Sequence, residues 1–286
     1  MSRMRRGWEL TKKSWGLLRE HRDLLRFPLY GGAATIAAAA IVVGPGLFLI
    51  EDDSVALGGP LVVIGFYLLT VIGFYFSVGL AAAADMIFHG REATVGDGLA
   101  VARSRFSQIC GWAVVATVVG LVISAIQSRA GVGGAIAGRL LDIGWSLVTF
   151  LAVPVIALEG TGPIETLKRS ASLFKSRWGQ QVTGNIAIGG AVGLLGVLPS
   201  AALIAIGIAI WSSASFAGAL LVVVGVIGMA IALLVLNALR GIFGVALYRY
   251  ALDGEAVGGF SPGELESAVK TKGGRNAPPT ATPGTV

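Results

Sequence analysis

Six runs of residues, each almost free of charge and each close to or above the length that crosses a bilayer, leave this chain few ways to fold. They cover residues 27–50, 60–88, 109–126, 140–158, 182–211 and 216–247. A hydrocarbon core of about 30 Å takes about 20 apolar residues as a helix. In lipid, only helices and closed barrels satisfy every backbone N–H and C=O. The runs are continuously apolar rather than alternating, so they read as helices. Composition agrees. Hydrophobic residues make up 55% and charged residues 13%, the latter about half the ~25% of a typical soluble domain. The expected fold class is all-α: a polytopic membrane bundle of six transmembrane helices.

The first run follows a basic flank, as a signal peptide would. Its 24 residues exceed the 7–15-residue core of a signal, and further runs follow, so it reads as an uncleaved anchor. Lysines and arginines set the orientation. Twenty lie before the first run, after the even-numbered runs or near the end of the sixth, and only Arg129 and Arg139 lie on the other side. This bias predicts both termini in the cytoplasm and the inner membrane as the location. The net charge of +6 would suggest nucleic acid in a soluble protein. Here the basic residues flank apolar runs, so anionic lipid headgroups are the expected partner and nucleic acid is not. One cysteine, Cys110, excludes a disulfide framework.

The segments expected in the cytoplasm resemble one another. Each even-numbered run ends in a polar residue followed by glycine: His89-Gly90, Glu159-Gly160 and Asp253-Gly254. Glycine just past a helix suits the left-handed cap. A helix start follows each time, with Thr94 three residues before Asp97, Pro163 before Glu165, and Ser261-Pro262 before Glu264. Trp8, Trp15, Leu18 and Leu25 give the N-terminal arm the same amphipathic spacing. The pattern suggests a three-fold parallel repeat of an interfacial amphipathic helix plus two spans. The expected divisions are an amphipathic arm at 1–26, the membrane domain at 27–252, a short cytoplasmic helix within 253–269, and a disordered tail at 270–286.

Few residues could carry chemistry. Asp85 and His89 are four apart and share a helix face; a proton relay or metal pair competes with simple capping at the membrane interface. Arg240 is the one basic residue set inside a long apolar run, and counting residues from the span entries places it level with Asp85. We therefore expect an Asp85–Arg240 ion pair, with Glu159 as the alternative acid, against a lone Arg240 reaching the headgroups. Glu159 otherwise reads as a structural residue beside a turn, and Asp142 as reaching the outer headgroups near Arg139. Gly189/Gly193 and Gly134/Gly138 have the spacing of close helix packing. Asn185 and Asn237 read as interhelical hydrogen-bond partners. The sequence holds no phosphate loop, zinc-protease motif or nucleophile elbow, and no cofactor or metal site is expected.

Two stretches carry a resemblance. One is Glu159-Gly160-x-Gly162-Pro163-Ile164-Glu165-x-Leu167-x-x-Ser170, reaching Trp178-Gly179. The other is Ala246-Leu247-Tyr248-Arg249-Tyr250-Ala251 followed by Gly254 and Gly259-Phe260. Together they resemble an uncharacterised family of six-span bacterial membrane proteins. The first is more loosely similar to the membrane domain of some glycerophosphodiester phosphodiesterases, whose catalytic domain this chain lacks. The resemblance implies a polytopic inner-membrane protein and transfers no catalytic residue. The expected function is non-enzymatic: organising, assembling with or stabilising other membrane components, with a membrane-protein partner. The alternative is a carrier for a lipid or small amphiphile.

Overall fold

The structure is a computed structural model that describes residues 16, 20–129, 131–178, 196–211, 214–262 and 265. Among the described residues the regular structure is helical. After a 3-10 turn at Arg22–Leu25 come α1 (Arg26–Ala38), a π turn (Ala39–Val43) and α2 (Gly44–Glu51). Then follow α3 (Val55–Phe88), α4 (Val95–Ser104), α5 (Phe106–Arg129), α6 (Gly131–Val148) and α7 (Ala152–Leu158). The chain continues through α8 (Pro163–Trp178), α9 (Leu198–Ala209) and α10 (Ser215–Asp253). Among the described residues, five stretches are long and apolar enough to cross a membrane: Asp23–Glu51, Val55–Phe88, Phe106–Ser128, Ile136–Leu158 and Ser215–Asp253. The fifth expected span falls largely outside the described residues, and its described part is the shorter α9. Most of the N-terminal arm, with Trp8 and Trp15, and the tail at 270–286 also lie outside them; of the arm, residues 16 and 20–26 are described.

Two expected spans are not uniform helices, and proline explains both. Proline has no N–H to donate, and its ring crowds the carbonyl four residues back. For Pro45 that carbonyl belongs to Ile41, inside the π turn. For Pro154 it belongs to Phe150, inside the break between α6 and α7. The expected glycine caps form: Gly90, Gly160 and Gly254 have φ of 71°, 68° and 76°, a region closed to most residues by Cβ clashes. Thr94 caps α4 in a reciprocal box. Its hydroxyl accepts from the Asp97 N–H (3.2 Å), and Asp97 Oδ2 accepts from the Thr94 N–H (2.9 Å).

The helices converge at one end and separate towards the other. Along α3, every residue in 78–85 is buried, and alanine at 81–84 lets neighbours approach closely. Packed in one cluster with them, Leu239, Ile242 and Val245 of α10 are buried as well. Towards the other end, Leu47, Phe48, Leu57, Phe216 and Leu220 are exposed, as lipid-facing side chains would be. There each hairpin is held by glycine. A Cβ on Gly58 would meet the Gly46 carbonyl oxygen at 2.6 Å, and one on Gly218 would meet the Gly207 carbonyl oxygen at 2.7 Å.

Candidate functional site

The convergent end holds a polar cluster built from four segments. Asp85, 6% exposed, sits in the last turn of α3. Its carboxylate receives the Arg249 guanidinium from α10 in a fork, Nε to Oδ1 at 2.7 Å and Nη2 to Oδ2 at 2.8 Å. Charge-assisted bidentate pairs are the strong, directional class of such contacts. The neighbouring Tyr248 turns about 100° away on the helix and donates to Glu159 Oε1 at 2.7 Å. Glu159, just past α7, also accepts from Arg169 Nε of α8 at 2.9 and 3.1 Å. That hydrogen bond pushes the Arg169 guanidinium still further above its ordinary value.

Ser170, beside Arg169 and fully buried, closes the break between α6 and α7. Its Oγ accepts from the Leu151 N–H at 3.2 Å and donates to the Val148 carbonyl at 2.6 Å. Backbone freed within an apolar layer must find such a partner. The Arg105 guanidinium lies over Gly160, where any Cβ would collide with it.

Several expected site residues take other places. Asp85 is joined to Arg249, not to Arg240. The count of depth began span two at Pro60, but α3 begins at Val55. At 1.5 Å per residue Asp85 then lies about 45 Å along α3, against roughly 38 Å for Arg240 and 51 Å for Arg249 along α10. Glu159 is held by Arg169 and Tyr248. His89 Nδ1 is 2.7 Å from the Asp85 carbonyl oxygen and 3.7 Å from Asp85 Oδ2, so the ring is engaged mainly by the helix end. Arg139 and Asp142 lie 3.6 Å apart, both well exposed. Gly138 backs onto Gln127 of α5, and Gly134 is buried. Gly189, Gly193 and Asn185 lie outside the described residues. Arg169, Tyr248, Arg249 and Ser170 were not singled out as site residues, although all four belong to the stretches that carry the resemblance.

Beyond the cluster, α1, α3, the α6–α7 junction and α10 line a half-open cavity of about 950 Å³. Its wall is mostly apolar, including Leu29, Phe76, Leu80 and Phe150. Asn237 and Arg240 of α10 also face it. With paired carboxylates at one end and an apolar chamber beside them, the geometry offers helix clamping and room for an apolar molecule. A family model now matches residues 57–259. The chain belongs to the family of unknown function DUF6159. No curated protein and no solved structure matches it. The matched range takes in the polar cluster, the cavity walls from α3 and α10, the first resemblance stretch and the second as far as Gly259.

Proposed function

We propose that this DUF6159 member is a six-span, non-enzymatic protein of the bacterial inner membrane that holds a lipid or other amphiphile between its helices. The observation that carries the reading is the cavity of about 950 Å³, at the upper end of the ~300–1,000 Å³ typical of ligand pockets. A bundle that only braced its neighbours would have no need of such a space. Both termini lie in the cytoplasm on this reading, from the twenty-to-two distribution of basic residues. The glycine-held hairpins α2/α3 and α9/α10, with their matching contacts, support the repeat of helix pairs. The loose likeness to the phosphodiesterase membrane domain agrees with a lipid ligand but adds no residue to the argument.

The organising role is the second reading, and the polar cluster favours it: forked ion pairs fix one end of the bundle as a rigid platform for a membrane-protein partner. The two readings separate on purification. Protein extracted from native membranes and washed through detergent exchange should keep close to one amphiphile per chain, seen by native mass spectrometry and lipid extraction. Complete loss of lipid with retained folding, together with a co-purifying protein, would favour the organising role.

A further inference from the structure

The charge on the cavity wall is one-sided among the described residues. Asn237 and Arg240 are three residues apart on α10 and therefore share a face. Arg240 is exposed to the cavity and has no ion pair or hydrogen bond with another described residue. A guanidinium carries five N–H donors and no acceptor. The hydroxyls on the opposite wall do not balance it. Ser77 Oγ donates to the Gly73 carbonyl and Thr35 Oγ1 to the Gly31 carbonyl, each at 2.7 Å, and their oxygens are neutral acceptors that carry no charge to offset a guanidinium. Among the described residues neither wall brings a carboxylate: Asp85 and Glu159 are both occupied in the cluster, outside the cavity. The described lining therefore has one fixed positive charge set against a long apolar remainder.

Space for chains lies beside that charge. A Cβ added at Gly73 or at Gly244 would meet nothing within 4 Å. Both residues line the cavity, so the missing side chains widen it. Arg240 lies about 38 Å along α10 from Ser215, deep enough to stand at the far headgroup layer of a bilayer about 30 Å thick.

We propose that the cavity binds an anionic membrane lipid, its phosphate on Arg240 and Asn237 and an acyl chain along Gly73 and Leu233, on the bilayer side of Arg240. This rests on the amphiphile reading above and narrows it to a charge class. Planar guanidinium suits phosphate because two N–H groups can meet two oxygens at once. A neutral amphiphile would leave that charge unpaired, and a small soluble anion would leave the apolar walls unfilled.

The test uses the full chain, delipidated in non-ionic detergent and followed by native mass spectrometry and thermal unfolding. Phosphatidylglycerol, phosphate-free diacylglycerol of the same chains, and glycerol 3-phosphate are added separately. The expected result is retention of phosphatidylglycerol with a preference of about tenfold over diacylglycerol, as one charge-assisted contact would give, and no retention of glycerol 3-phosphate. Arg240→Gln should erase the preference while both lipids still bind, and Arg240→Lys should keep part of it. Gly73→Leu should reduce binding of both lipids, with an unchanged gel-filtration profile showing that the fold survives. Equal binding of the two lipids, unaffected by Arg240→Gln, would overturn the anionic assignment and leave the amphiphile reading standing. Equal retention of glycerol 3-phosphate would make the site one for a soluble anion. Absence of any lipid binding by a folded wild-type chain would remove both proposals.

Discussion

Arg249 grips Asp85 across 164 residues of sequence, its guanidinium forked on the carboxylate at 2.7 and 2.8 Å. The pair joins the ends of α3 and α10, the two longest helices among the described residues. Their side chains are 8% and 21% exposed, so solvent does little to screen them. One residue earlier on the same turn, Tyr248 reaches Glu159. Two consecutive residues of α10 thus fix the helix against two different partners, and the second contact joins the two stretches that carry the family resemblance.

Breaking this pair from one side should cost more than removing it. Asp85→Asn or Arg249→Gln leaves the opposite charge buried, at about 3–5 kcal/mol where desolvation is complete; the partial exposure of Arg249 argues for the lower end. The Asp85→Asn, Arg249→Gln double variant should lose less than the sum of the singles. Arg240→Gln should hardly change stability. Thermal unfolding in detergent reads all four, and simple additivity of the two losses would show that the pair contributes no coupling.

Ser170→Ala tests the mended break. It leaves the Leu151 N–H and the Val148 carbonyl without their partner, a loss of about 1–3 kcal/mol for buried groups. Hydrogen exchange at the Leu151 amide should accelerate, while the amides of α3 stay protected. Unchanged exchange at Leu151 would mean that Ser170 does not hold the break.

The helices, their glycine caps and the Thr94–Asp97 box were legible because each follows from local chemistry. Apolar length, a residue without Cβ and a reciprocal N-terminal pair declare themselves within a few positions. The ion pair was not legible, because it depends on how two helices are placed and turned. Starting α3 at Val55 leaves Asp85 almost midway in depth between Arg240 and Arg249, and nine residues at about 100° each put those two arginines on opposite faces of α10. The break in span four was written in Pro154, but its repair by Ser170 joins residues 19 and 22 positions apart. The cavity had no local signature at all. It arises where Gly73 and Gly244, on different helices, omit side chains towards the same space.

The orientation is open to chemical labelling. With Cys110 replaced by alanine, Asp52→Cys and Glu92→Cys each provide a single thiol on an exposed turn. The two positions bracket α3, and the basic residues predict Glu92 on the cytoplasmic side. In intact cells stripped of outer membrane, an impermeant maleimide should react with Asp52→Cys. Glu92→Cys should react only after permeabilisation. The reverse pattern would invert the assigned topology.

Helix α4 should loosen in acid. The Thr94 backbone N–H, and then its hydroxyl, hold the Asp97 carboxyl below its ordinary value. A group whose value is lowered on folding stabilises the fold above the unfolded value, about 3.9, and that contribution disappears as pH falls through the lower folded value. Protection of the α4 amides, corrected for intrinsic exchange, should therefore be constant near neutrality and decline below about pH 4. Asp97→Asn should abolish this decline. A decline that persists in Asp97→Asn would assign it to another carboxylate.

Two adjacent glycines in α3 should respond in opposite directions to the same methyl group. A Cβ at Gly58 would meet the Gly46 carbonyl oxygen at 2.6 Å and the Ile50 amide nitrogen at 2.9 Å. These are backbone atoms of α2, so accommodation requires the hairpin to part. A Cβ at Gly59 meets nothing within 4 Å. There alanine adds no clash and recovers the helix preference that glycine lacks, about 1 kcal/mol. Gly58→Ala should lower the unfolding temperature in detergent, and Gly59→Ala should hold or raise it. Gly218→Ala should repeat the loss in the α9/α10 hairpin, where the Gly207 carbonyl oxygen stands at 2.7 Å. If Gly58→Ala and Gly59→Ala changed stability equally, the hairpin would not be packed through its glycines, and the close approach of α2 to α3 would need another cause.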